Sequence, residues 1–235
     1  ITSSAALQNC KNYGKVQFTG TNSNNKSINL GGISGGINTA SLAGCANLGS
    51  VECNATAKHS GGTNIGGLVG INNAGLIGTI TDCVNGSSTD ATLGALTNNC
   101  AVGGELRMGG FIGYIQEKSS NITSFKNYGP IANNGTSTSS IGIGGVVGIV
   151  YGSTEKPVTN TISSCENYGT VADSGTLMNA YLGGIAGWLK TASTSFDKVS
   201  NNGAVTNNGA VTNTKSSGAT TYVRLGGIVA YVQGA

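Results

Sequence analysis

An aliphatic residue or methionine followed by two glycines and a short apolar run occurs six times in this chain, and this recurrence restricts the fold more than any other feature. The copies are Leu30-Gly31-Gly32-Ile33-Ser34-Gly35, Ile65-Gly66-Gly67-Leu68-Val69-Gly70, Met108-Gly109-Gly110-Phe111-Ile112-Gly113, Ile143-Gly144-Gly145-Val146-Val147-Gly148, Leu182-Gly183-Gly184-Ile185-Ala186-Gly187 and Leu225-Gly226-Gly227-Ile228-Val229-Ala230. Successive leading glycines stand 35, 43, 35, 39 and 43 residues apart, the regularity of a repeat architecture. A unit this short cannot bury its own apolar face and must stack on copies of itself. The expected domain is therefore a single repeat unit over residues 1–235, with repeats near 1–38, 39–75, 76–118, 119–155, 156–192 and 193–235.

A second motif opens each repeat: Leu7-x-x-Cys10-x-Asn12-Tyr13-Gly14-x-Val16. It returns as Leu42/Cys45/Asn47/Gly49/Val51, Ile122/Phe125/Asn127/Gly129/Ile131, Ile162/Cys165/Asn167/Gly169/Val171 and Phe196/Val199/Asn201/Gly203/Val205. The third copy keeps Ile80, Cys83 and Asn85, but its glycine comes early at Gly86 and Thr89 stands where valine is expected, so an inserted loop is placed around residues 86–104. In a stack, Asn12, Asn47, Asn85, Asn127, Asn167 and Asn201 form a ladder of amides that donate and accept between coils. The glycine that follows each is expected to supply the positive φ of a bend.

Between the motifs the apolar residues alternate with a period of two, as at Leu106, Met108 and Ile112 or Ile141, Ile143 and Val147. Ile33, Leu68, Phe111, Val146, Ile185 and Ile228 occupy the opposite face, which predicts one strand through each Gly-Gly, apolar on both sides and central to its layer. No window of ten or more residues carries a helical period. The predicted fold is all-β, a β-solenoid of about six stacked repeats, roughly 29 Å long at ~4.8 Å per coil.

Phe125 and Val199 fill the slot held elsewhere by Cys10, Cys45, Cys83 and Cys165. The slot therefore selects a buried apolar side chain, and free thiols are expected there. The competing reading pairs cysteines of neighbouring coils; Cys53 and Cys100 lie outside the slot and are the better candidates for a bridge.

With 12 basic and 9 acidic residues and no run of either, the chain has no track for a phosphate backbone, and nucleic acid is not an expected partner. No apolar stretch of 18 residues is present, so no membrane insertion is expected in this segment, and residues 1–20 lack the pattern of a signal peptide. A single histidine, His59, and no C-x-x-C pair argue against a metal site, and no cofactor is implied. The abundance of Asn, Ser, Thr and Gly suits an extracellular or cell-surface protein. Because solenoids need covered ends, the uncapped last repeat predicts further domains of the same polypeptide, or a partner, against an end.

The repeats resemble the GLUG motif, found in tandem in large secreted and surface proteins of bacteria, including adhesins and regions of metallopeptidases that cleave IgA. The best match runs from Ile65-Gly66-Gly67-Leu68-Val69-Gly70-Ile71-Asn72 to Ile80-Thr81-Asp82-Cys83. The resemblance implies surface association and adhesion; the family's Cys-Tyr pair is here Cys-Lys, Cys-Ala or Cys-Glu, and no His-Glu-x-x-His is present, so no protease activity carries over.

Tyr13, Tyr128 and Tyr168 stand between a ladder asparagine and its glycine. Pointing outward they would make an aromatic strip for an extracellular glycan or a host or microbial surface protein; alternatively each packs over the turn of the adjoining coil. Tyr114, Trp188 and Tyr231 share their position with Ile71 and Ile149, which marks it as core. Arg107 and Arg224 are expected to be solvated. The nine carboxylates do not recur in register, so no catalytic residue is assigned. The expected function is a noncatalytic stalk or adhesive module, with a polysaccharide-processing lyase or hydrolase of β-solenoid type as the alternative.

Overall fold

The computed structural model describes the chain except residues 1–4, 22–25, 39, 56–57, 59, 73–79, 118, 154, 156–157, 213–219 and 235. His59 lies outside the described residues. Every assigned element is a strand of two to five residues, and every strand pairing is parallel. The fourth coil shows the path: Ser120–Thr123, Lys126–Asn127, Ile131–Asn133, Thr136–Ser137, Ser140–Gly144 and Val147–Tyr151. Each of these strands belongs to a different sheet, five sheets having six strands and the Thr136–Ser137 sheet four. This is a β-solenoid. From the first to the last strand of a six-stranded sheet the chain makes five turns.

Stacking is in register, so equivalent residues form rows. Leu7, Leu42, Ile80, Ile122, Ile162 and Phe196 pair in succession. So do Val16, Val51, Leu96, Ile131, Val171 and Val205. Leu96, and not Thr89, thus takes the valine's place in the third coil. The expected loop shrinks accordingly to the residues between Gly86 and Gly94, because Leu96–Asn98 is already back in the stack.

The bend before each slot residue is made by the residue preceding it. Asn9, Gly44, Asp82, Ser124, Ser164 and Lys198 all have φ between 50° and 61°. The expectation that the glycine after the ladder asparagine supplies this conformation holds only in the third coil, where Gly86 has φ 82°. Elsewhere that glycine is required by proximity: a Cβ on Gly49 would lie 1.9 Å from the carbonyl oxygen of Gly14, and one on Gly169 2.1 Å from that of Gly129. In the third coil Gly94 takes this place in the row, its carbonyl oxygen 2.1 Å from the Cβ position of Gly129.

The Gly-Gly segment is a corner between two strands, in place of the one strand expected. Leu106–Gly109 and Ile112–Gln116 belong to different sheets. A Cβ on Gly109 would sit 2.1 Å from the oxygen of Ile112 and 2.7 Å from the nitrogen of Gly148, so the first glycine lets the chain fold back on itself. The second glycine meets the asparagine ladder: a Cβ on Gly110 would be 2.6 Å from Cγ of Asn127 and 2.1 Å from the oxygen of Gly145.

This contact divides the interior in two. One lobe gathers Leu42, Ile80, Ile122 and Ile162 with the slot residues Cys45, Cys83, Phe125 and Cys165 and with Leu68, Phe111, Val146 and Ile185 beyond the corner. Phe125 meets Phe111 edge-on with centroids 5.3 Å apart, so the bulkier slot residue fills the same lobe as the thiols do. The second lobe gathers Val51, Leu96, Ile131 and Val171 with Ile65, Met108, Ile143 and Leu182. Between them runs the polar row: Asn12 donates to Asn47, Asn47 to Asn85, Asn85 to Asn127, Asn127 to Asn167 and Asn167 to Asn201, each at 2.8 Å. The second amide hydrogen of each goes to a glycine carbonyl in its own coil, as Asn47 to Gly49 and Asn127 to Gly129 at 2.9 Å. Asn47, Asn85, Asn127 and Asn167 are fully buried, and pairing removes the cost of an unsatisfied polar group.

Cys10, Cys45, Cys83 and Cys165 are free thiols, and Cys53 and Cys100 form a disulfide with Cα atoms 5.9 Å apart. Cys10 in the first coil and Val199 in the last are partly buried against opposite ends of the first lobe.

Candidate functional site

Alternation places the residue after each ladder asparagine on the outside, because the asparagine points in. Its backbone is fixed as well: Tyr128 N–H donates to the carbonyl of Asn85, and Tyr168 N–H to that of Asn127, both at 2.7 Å. The two rings stack with centroids 4.9 Å apart and planes 12° from parallel. The spacing is that of the coils themselves. Tyr168 is 40% exposed and Tyr13 70%.

Tyr13 is separate from this pair. Leu48 occupies the equivalent place in the second coil, and Gly86 takes it in the third, its N–H donating to the carbonyl of Asn47 at 2.8 Å. The three tyrosines therefore do not make one strip. Tyr128 and Tyr168 stack on each other and leave part of the pair at the surface.

Gly86 matters for the face of Tyr128. It places no side chain against that ring, and the chain departs here into the inserted loop. Ser87, Ser88 and Ala91 of the loop border a surface hollow of about 510 Å³ with Tyr128 and Tyr168. The loop is held by short-range bonds: Asp90 accepts from the Thr92 N–H at 2.9 Å and from its hydroxyl at 2.6 Å, and these bonds lower the Asp90 pKa. The Ser87 and Thr89 hydroxyls lie 2.9 Å apart.

Beside the rings, Lys126 pairs with Glu166 at 3.0 Å and the Tyr168 hydroxyl donates to the same carboxylate. The tyrosine's hydrogen bond and then the lysine's hold Glu166 below the usual carboxylate range, and accepting that bond from Tyr168 raises the phenol's pKa. Both bonds favour the charged form of Glu166. A further hollow of about 420 Å³ lies over the bends, among Asp82, Ser124, Ser164, Lys126 and Glu166. Among the described residues no three of His, Cys, Asp and Glu converge as metal ligands.

The second aromatic set lies in the outer crease made by the Gly-Gly corner. Tyr114 and Trp188 are buried there with Ile71, Ile149 and Tyr181, and Tyr231 packs beside them. Burial pushes the Tyr114 phenol up to about 12. Arg107 is not solvated as expected: its guanidinium lies 4.0 Å from the centroid of Tyr114, donates to Glu105 at 2.7 and 3.2 Å and to Asn64 at 2.9 Å. Arg224 likewise lies over Tyr231 and Tyr222, at 3.9 and 4.3 Å. The aromatic content of the crease was visible in the sequence, but the crease itself requires the corner.

The buried slot thiols Cys45, Cys83 and Cys165 are held protonated by their environment. Burial pushes Cys83 up to about 12 and Cys165 up to about 11, and the Cys165 thiol donates to the Ser163 carbonyl at 3.2 Å. A thiol so far from ionisation is a poor nucleophile. Comparison with protein-family models, with curated proteins and with solved structures gives no match for this chain.

Proposed function

We propose that this chain is a noncatalytic surface module, a stalk or adhesive β-rod that binds an extracellular glycan or a surface protein through the patch formed by Tyr128, Tyr168 and the Ser87–Leu93 loop. The observation that carries the reading is the hydroxyl-lined hollow against an outward aromatic pair, mounted on a ladder that fixes its backbone. Aromatic faces bordered by hydroxyls suit a sugar ring, which offers an apolar C–H face and polar edges. An extracellular or cell-surface location is supported by the Cys53–Cys100 disulfide, a bond that persists in oxidising compartments, and by the likeness of the repeats to GLUG arrays. Further domains of the same polypeptide would be what the rod displays or is anchored by.

The test is retention on a panel of immobilised polysaccharides, with release of reducing or unsaturated ends assayed in parallel. The chain is expected to be retained by at least one polysaccharide, and Tyr128→Ala/Tyr168→Ala to lose that retention with an unchanged circular dichroism melt. Tyr13→Ala, made at a site remote from the pair, is expected to behave as wild type. Retention that survives the double substitution removes the patch from the reading. Turnover abolished by changing surface carboxylates would replace it with a polysaccharide-processing enzyme.

A further inference from the structure

We infer that the chain takes an uncharged polysaccharide, several sugars of which lie across the coils from the Tyr128–Tyr168 pair to the bends of the third, fourth and fifth coils. The inference rests on the glycan reading of the tyrosine patch and adds to it a second subsite, a direction and a charge class. Asn127 and Asn167 point inward, so the residues on either side of each point out together: Lys126 with Tyr128, and Glu166 with Tyr168. Lys126 and Glu166 stand in register in neighbouring coils, as the two rings stack. The tyrosines border the hollow of about 510 Å³, and the ion pair borders the one of about 420 Å³. The bond from the Tyr168 hydroxyl to Glu166 joins the two steps.

Beyond the ion pair the second hollow reaches the bends, where Asp82, Ser124 and Ser164 follow one another from coil to coil. From Ser124 to Tyr128 the chain advances four residues, at most roughly 13 Å, and it does so along the strands and therefore across the rod. That path is longer than one sugar ring. Its far end is also held in place: Asp82, Ser124 and Ser164 have φ of 52°, 55° and 51°, and the Ser124 and Ser164 N–H groups donate to the carbonyls of Ser163 and Asp197 at 3.1 and 2.9 Å. Val84 supplies apolar surface in the same lining. A few placed polar groups beside an apolar wall are what orient a small ring.

Charge selects the class of sugar. Asp82 and Glu166 line the bend hollow against Lys126 alone, and Lys126 is already paired with Glu166 at 3.0 Å. Lys198 comes next after Ser164 in the row of bends and is not part of the lining. A uronate or sulfate placed here would face Asp82 with no other cation in the lining to meet it, and like charges brought together cost affinity. An uncharged ring instead donates its hydroxyls to the carboxylates.

Competition by oligosaccharides of graded length, against the polysaccharide that retains the chain, tests the inference. From monosaccharide to trisaccharide, uncharged fragments are expected to gain at least about tenfold in competing strength, and fragments carrying uronate or sulfate to compete more weakly than uncharged ones of equal length. Ser124→Lys/Ser164→Lys fills the bend hollow with a side chain that the same backbone conformation carries at Lys198. This variant is expected to lose the gain with length and to keep wild-type competition by the monosaccharide, which needs only the tyrosines. A matching thermal melt establishes that its rod is intact, and the wild-type length series decides the matter if it is not. Competition independent of length, preference for charged fragments, or a folded double variant with the wild-type length series overturns the inference; loss of retention in Tyr128→Ala/Tyr168→Ala would still uphold the patch itself. A wild type retained by no polysaccharide, or one that captures a protein instead, removes both.

Discussion

At the scale of single residues, the least comfortable position in the rod is Asp173. It stands in a second inner row, paired in register with Asn133 on one side and Asn207 on the other, with Asn98 beyond Asn133. Asn98 donates to Asn133 at 2.8 Å and Asn133 to Asp173 at 2.7 Å, but a carboxylate cannot donate onward. Asp173 Oδ2 and Asn207 Nδ2 are consequently buried without partners. Burial raises the Asp173 pKa, against the opposing hydrogen bonds from Asn133 and the Gly175 N–H. A folded pKa above the unfolded one means that the folded state holds the proton more tightly. Its contribution to stability is then greatest below the unfolded value of about 3.9 and is lost as pH rises through the folded value. Asp173→Asn restores a donor to the row. It is expected to raise stability at pH 7 by about 1–2 kcal/mol and to lose that advantage in acid, read as the difference between the two urea denaturation midpoints at each pH. An equal or less stable variant at neutral pH contradicts this account. The Asn ladder was legible from sequence because its spacing from the slot is constant. The positive φ was not, since Asn9, Asp82, Ser124, Ser164 and Lys198 share no chemistry that marks the bend.

At the scale of elements, the Gly-Gly corner is both the most visible motif and the one whose geometry the sequence conceals. Glycine has no side chain to report a face, so alternation at Leu106, Met108 and Ile112 continues through the corner as though the strand were straight, while the structure sends Met108 and Ile112 into different lobes. Gly145→Ala tests the corner. Its Cβ would lie 2.1 Å from the Gly184 oxygen and 2.3 Å from Cγ of Asn167, and both neighbours are locked in ladders. A loss of at least about 3 kcal/mol is expected, the range of severe core disruptions, and a loss under half of that would show that the ladders can part. The third coil needs a separate restraint, because its loop interrupts the path between Asn85 and Leu96. The Cys53–Cys100 bridge ties it to the second coil across 47 residues. Loop-closure entropy for that span is worth about 4 kcal/mol. Denatured protein is expected to titrate four thiols before reduction and six after, and the reduced rod to unfold at correspondingly lower urea. A count of six before reduction rules the bridge out.

Across the whole molecule, stability is a sum over interfaces between neighbouring coils, so it should vary along the rod. A middle coil such as the fourth is closed on both sides: Asn127 accepts from Asn85 and donates to Asn167, and the apolar side chains of Ile141, Ile143, Val147 and Val150 are fully buried. The sixth coil has one neighbour, and there Val232 is 61% and Ile228 36% exposed. Amide hydrogen exchange is therefore expected to be slowest in Ile112–Gln116 and Val147–Tyr151 and fastest in Val229–Gln233, with intermediate rates in Ala186–Lys190. The same logic separates two substitutions that look alike in sequence. Asn127→Ala strands a donor on Asn85 and an acceptor on Asn167, two buried groups at about 1–3 kcal/mol each. Asn12→Ala strands one ladder group, the acceptor of Asn47, and the Gly14 groups it also releases are exposed. The interior change should thus cost roughly twice as much and should accelerate exchange on both of its flanks, whereas the end change should be confined to the first two coils. Uniform protection along the chain, with equal costs for the two substitutions, would mean that the rod opens only as one cooperative body and that its ladders do not act as separable joints.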